Sequence, residues 1–71
     1  MEFKDRLKAI RKEKGMTQKD VYLLLNISAN GYASWEQGRT EPDIKMIKKL
    51  CKIYEVSSDY LLGISDEKNQ K

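Results

Sequence analysis

Apolar positions along this chain recur at three- and four-residue intervals, the period of helices that each bury one face. Phe3, Leu7 and Ile10 share such a face, with Ala9 and Arg11 at its margins, while Lys4, Lys8, Lys12 and Lys14 project mostly from the other sides. Lys14 puts a cation in the last turn and Gly15 is free to adopt a left-handed conformation, so the spacing predicts a first helix from about Glu2 to Lys14. Met16 can pack inward, and Thr17 is placed as an N-cap for a second helix over Gln18 to Leu25, with the Asp20 carboxylate near its positive end. Asn26 tolerates a left-handed turn, Ile27 can anchor that turn, and Ser28 is a second N-cap for a helix from Ala29 to about Gln37. Two short helices separated by a turn of three to four residues have the spacing of a helix-turn-helix.

Gly38 ends the third helix, and Pro42 closes a polar loop before Asp43, the expected cap of a fourth. Ile44, Ile47, Leu50, Cys51 and Tyr54 form its apolar stripe, with Lys45, Lys48, Lys49 and Lys52 toward solvent. Val56 leads into a short fifth helix capped by Ser57 or Ser58, carrying Tyr60, Leu61 and Leu62 and stopped at Gly63. From Ser65 onward no apolar residue is available for burial, so residues 65–71 are expected to form a disordered tail behind a domain over 1–64.

Composition agrees with this pattern and removes other classes. A chain of 71 residues holds one domain at most, and a domain near that size buries only about 60% of the surface its unfolded form exposes. One proline and four glycines in a chain that is 39% hydrophobic favour an all-helical bundle over a sandwich or barrel. The net charge of +3 permits a polyanionic partner without demanding one. Cys51 has no second cysteine to pair with and the sequence contains no histidine, which argues against a disulfide, a metal site or a nucleophile–base pair. No cofactor and no enzymatic activity are expected, and a reducing cytoplasm fits best. No apolar run approaches the roughly 20 residues of a membrane span, and MEFKDRLK lacks the apolar region of a signal peptide.

Thr17-Gln18, Val21, Leu25, Ile27-Ser28 and Trp35-Glu36-Gln37-Gly38, followed by Glu41-Pro42-Asp43 and Val56 to Gly63, give the chain a specific frame. In order and spacing it resembles the lambda-repressor-like family, the Cro and phage-repressor type of helix-turn-helix protein, over about Phe3 to Gly63. The resemblance implies an all-α, compact five-helix bundle with the helix-turn-helix at its second and third helices. It further implies a sequence-specific regulator of transcription that binds double-stranded DNA, a repressor of bacterial or phage origin. The chain departs from the family at Tyr22, where a small residue is usual, and at Asn26, where glycine is usual. Gly31 lies in the first turn of the third helix, at a cost of up to ~1 kcal/mol relative to alanine.

In this family the second helix of the pair enters the major groove and the first lies across the backbone. The resemblance therefore places Ser28, Ala29, Asn30, Gly31 and Ser34 at base edges. Asn30 is the obvious reader, able to pair with adenine through two hydrogen bonds, although a polar residue also simply suits a first helical turn. Ala29 could touch a thymine methyl, and Gly31 could allow close approach of the backbone. Thr17, Gln18, Lys19, Gln37, Arg39 and Thr40 are the implied phosphate contacts, so few cations that a shallow salt dependence is expected. Arg39 could equally be a solvated loop charge. Arg11 and Glu36 match family positions that face each other across the first and third helices, where a pair would orient the recognition helix; otherwise both point to water. Tyr32, Trp35 and Tyr54 read as core aromatics rather than stacking platforms. Homodimerisation on a palindromic operator is expected, through Val56, Ser58, Tyr60, Leu61 and Leu62. Leu23 and Leu24 occupy positions that are usually polar; either the first helix covers them or they meet a protein partner. That leaves a competing reading, an antitoxin or protein-binding adaptor on the same scaffold.

Overall fold

The computed structural model describes residues 1–68. Five helices follow in order, α1 Phe3–Glu13, α2 Gln18–Leu25, α3 Ala29–Gln37, α4 Ile44–Tyr54 and α5 Ser58–Leu61. Local chemistry sets their starts. The Thr17 hydroxyl accepts from the Asp20 N–H at 3.1 Å while the Asp20 carboxylate accepts from the Thr17 N–H at 2.9 Å, a reciprocal capping box. Ser28 caps α3 through the Gly31 N–H, Asp43 caps α4 through the Met46 N–H, and Ser57, rather than Ser58, caps α5 through the Tyr60 N–H. Each cap contributes ~1 kcal/mol by satisfying a donor that a helix leaves unpaired.

Left-handed residues set the stops. Asn26 ends α2 at φ 58° and Gly38 ends α3 at φ 77°. Glu55 ends α4 at φ 55°, a conformation that costs a residue with a Cβ roughly 1–2 kcal/mol.

The core draws on every helix: Leu7 and Ile10, Val21 and Leu25, Tyr32 and Trp35, Leu50, Cys51 and Tyr54, then Val56 and Leu61. α1 packs against α3 and α5, α2 against α3 and α4, and α4 against α5. Tyr32 and Trp35 meet edge to face with ring centroids 5.7 Å apart. Their burial agrees with their reading as core aromatics.

Three features depart from the sequence reading, and a fourth was not foreseen by it. Ile44 belongs by spacing to the stripe of α4, yet it is 76% exposed, because the buried face begins one turn later at Ile47. Val56 and Leu61, expected at a dimer contact, lie in the core of the single chain, so their side chains cannot supply one. Arg6, which the sequence reading did not single out, is buried, its guanidinium 4.0 Å from the centre of the Tyr60 ring and its Nη2 donating to Asp66 at 3.0 Å. Finally, Ser65 to Lys68, part of the expected disordered tail, turn back on the bundle. The Ser57 N–H donates to the Lys68 carbonyl, the Ser57 hydroxyl donates to the Glu67 carbonyl, and Lys68 pairs with Glu13. The remainder of the expected tail, residues 69–71, lies outside the described residues.

Candidate nucleic-acid interface

α2 and α3 are joined by Asn26, Ile27 and Ser28, with the Ile27 N–H returning to the Tyr22 carbonyl at 3.1 Å. The pair is fixed to the rest of the chain from beneath α3. Arg11 of α1 donates to the two carboxylate oxygens of Glu36 at 2.7 and 3.0 Å, and its third contact is the Met16 carbonyl at 3.0 Å. The Gln18 carboxamide donates to the same carboxylate at 3.2 Å, bringing the start of α2 into the cluster. The Tyr32 hydroxyl lies 3.0 Å from that of Tyr54 on α4. One carboxylate at the end of α3 is thereby tied to α1 and α2, while Tyr32 ties α3 to α4.

Electrostatics follow from that geometry. Burial opposes ionisation of Glu36, but hydrogen bonds from Arg11, Tyr32 and Gln18 and the Arg11 charge outweigh it and hold the carboxyl below its ordinary range. The hydrogen bond to Glu36 likewise raises Arg11. Burial pushes the Tyr32 phenol far up and that of Tyr54 up to about 12, so both remain protonated donors. Burial also raises the Cys51 thiol.

With its inner side held, α3 presents Ala29 and Asn30 to solvent. The Asn30 carboxamide has no hydrogen-bond partner among the described residues and is available to a ligand. Ser34 is less available: its hydroxyl donates to the Gly31 carbonyl at 2.8 Å, which leaves the Thr40 hydroxyl as donor in the contact between the two. Ser28 is engaged as the cap. A Cβ at Gly31 would lie 3.0 Å from the Ser28 oxygen, so the glycine makes room for that cap.

The candidate phosphate contacts divide in the same way. Thr17 is held in the capping box and the Gln18 side chain is held by Glu36. Lys19, Gln37 and Arg39 are exposed, and neither cation has an ion-pair partner among the described residues. The backbone N–H groups of Gln18 and Lys19, in the first turn of α2, have no acceptor within the helix. Sequence reasoning missed the contact of Gln18 with Glu36 and that between the Tyr32 and Tyr54 hydroxyls, and no local pattern announces them, because the partners are 18 and 22 residues apart. Leu23 and Leu24 are 62% and 63% exposed, so α1 does not cover them.

Two short helices around a three-residue turn, the second fixed from below and polar outside, define a helix-turn-helix protein. The helix-turn-helix family profile matches residues 7–61, and the chain belongs to this lambda-repressor-like family, one of transcriptional regulators rather than enzymes. It is 42% identical over 66 residues to the HTH-type transcriptional regulator ImmR of Bacillus subtilis (strain 168), covering 93% of this chain and 51% of that protein. It is 43% identical over 60 residues to the SPbeta prophage-derived uncharacterized HTH-type transcriptional regulator YonR of the same organism, covering 84% and 56%. The HTH-type transcriptional activator BcrR of Enterococcus faecalis is 32% identical over 63 residues, covering 89% and 31%. A crystal structure of a transcriptional regulator from Listeria innocua is similar with a TM-score of 0.83 at 28% identity, covering 99% of this chain and 65% of that one. The chain spans about half the length of the curated relatives ImmR and YonR. Among the described residues no helix is long and apolar enough to cross a membrane, and no group of His, Cys, Asp and Glu could hold a metal ion.

Proposed function

We propose that this chain binds double-stranded DNA sequence-specifically and regulates transcription, reading the major groove with the N-terminal half of α3. The observation that carries this reading is the division of α3 into two sides. Its inner side is clamped through Glu36 to α1 and α2, and its outer side presents the unpartnered Asn30. A rigid helix with a free carboxamide suits bidentate pairing to adenine, worth about 1–3 kcal/mol of discrimination. Lys19, Gln37 and Arg39, with the free N–H groups at the start of α2, flank that helix as phosphate contacts. Ser28, Ala29 and Gly31 bring the backbone close to the bases, and Ser34 and Thr40 act as a hydrogen-bonded pair.

The regulator acts as a repressor in the bacterial cytoplasm, because a domain lodged in the groove excludes other proteins from the same duplex. It binds as a homodimer on a palindromic operator, through a surface containing Ser58, Tyr60 and Leu62, the expected contact residues that the core leaves at least partly accessible. Selection of bound sequences from a random duplex pool tests the sequence specificity and the dimer. A recovered palindrome with half-sites about one helical turn apart supports the dimer; recovery of no preferred sequence rejects the reading. A reporter carrying the selected site distinguishes repression from activation.

The exposure of Leu23 and Leu24 favours a second reading, an antitoxin or adaptor that meets a protein through α2. Gel shift and pulldown on one preparation separate the two. Under this second reading Leu23→Lys abolishes the pulldown, and no duplex is shifted.

A further inference from the structure

The end of α3 is crossed by a side chain from the other end of the sequence. A Cβ at Gly38 would lie 2.8 Å from Cδ of Lys4 and 3.7 Å from both its Cε and its Nζ. The aliphatic stem of Lys4 therefore lies flat on the glycine, and its ammonium is delivered to the place where the chain leaves the recognition helix. Lys4 is half-buried and shares one groove with Gly38, Arg39 and Thr40. Glu2 and Glu41 line that groove too, yet no carboxylate among the described residues lies within 4.0 Å of the Lys4 ammonium. A lysine stem is thus ordered against the loop after α3 while its charge is left without a protein partner.

We propose that Lys4 is a DNA-phosphate contact, acting with Arg39 on the backbone stretch that faces the end of α3. The inference rests on the DNA-binding reading above and adds to that surface a cation from α1. A lysine on bare backbone can instead serve only to offset the negative end of α3, and the two roles differ in what salt does to binding. Each phosphate contact adds about 0.9 to the slope of log affinity against log salt, whereas a purely structural cation adds nothing to it.

The test uses fluorescence anisotropy of the full chain on a labelled random-sequence duplex, across about 50 to 200 mM salt. Lys4→Met keeps the stem over Gly38 and removes the charge. Lys52→Met removes the same charge from a separate groove, beside Ser57 and Glu67. The expected result is a slope shallower by about 0.9 for Lys4→Met, so that its disadvantage relative to the parent shrinks about 3.5-fold over that salt range. Lys4→Arg retains the parental slope, and Lys52→Met leaves it unchanged. A parental slope in Lys4→Met, or an equal loss in Lys52→Met, overturns the assignment while leaving the DNA reading intact. Failure of the parent to bind any duplex overturns both. Thermal unfolding of each variant shows whether it is folded, and Lys4→Gln replaces Lys4→Met if that variant is not.

Discussion

The guanidinium of Arg11 and the carboxylate of Glu36 meet in two hydrogen bonds of 2.7 and 3.0 Å, with 11% and 3% of the two side chains exposed. Arg11→Met leaves Glu36 enclosed without its cation, and breaking a buried pair from one side costs about 3–5 kcal/mol. Gln18 still donates to the carboxylate, so the expected loss is near the lower end, about 3 kcal/mol in urea unfolding. Arg11→Met with Glu36→Leu should recover part of it, since replacing both charges removes the unpaired ion. Additive losses in the double variant would contradict the pairing.

The same pair makes stability depend on acid. The folded Glu36 carboxyl titrates below its ordinary 4.5, so the unfolded chain takes up the proton first. The stabilisation from Glu36 is therefore complete above about pH 4.5 and is lost as pH falls through the lower folded value. The hydrogen bond from Lys68 shifts Glu13 in the same direction, and the bonds from Thr17 do so for Asp20. Urea midpoints should hold steady from neutral pH to about 5 and then fall. In Glu36→Gln the fall should be shallower; an unchanged acid profile there would show that Glu36 is not the group responsible.

Asn30 sets the expected specificity. Asn30→Ala should lower affinity for a selected site by about 1–3 kcal/mol at one adenine position and relax the preference there. Competition with single-base variants of the site measures this. Equal binding of every variant by parent and Asn30→Ala alike would remove Asn30 from the reading face.

Glu55 offers a gain in stability. Its φ of 55° puts a Cβ in a left-handed C-cap, where glycine carries no such penalty. Glu55→Gly should stabilise the fold by about 0.5–1 kcal/mol, part of the relieved strain being offset by the greater freedom of the unfolded chain. A lowered urea midpoint would show that the Glu55 side chain contributes more than its backbone costs.

Much of this architecture could be read directly from residue order. The Thr17, Ser28 and Asp43 caps and the left-handed Asn26 and Gly38 carry their own geometry, so the limits of α2 and α3 are legible to the residue. Spacing was less reliable at element ends. Ile44 keeps the period of its stripe but projects beyond the core, and periodicity does not say where a core stops. Val56 and Leu61 show the same gap from the other side: an apolar residue in a short terminal helix can face a partner or its own chain, and here it faces its own chain.

What the sequence alone determined is the helical frame, because caps, turn residues and apolar period act over a few neighbours. Which polar side chains remain available to a ligand was decided only by tertiary structure. Gln18 looks like a phosphate contact in the sequence, yet its side chain is held by Glu36. Arg6 is buried on Tyr60, and Lys4, on the same helix, reaches the end of α3. Those outcomes depend on residues distant in the chain competing for the same donors and charges, and only the folded arrangement brings the competitors together.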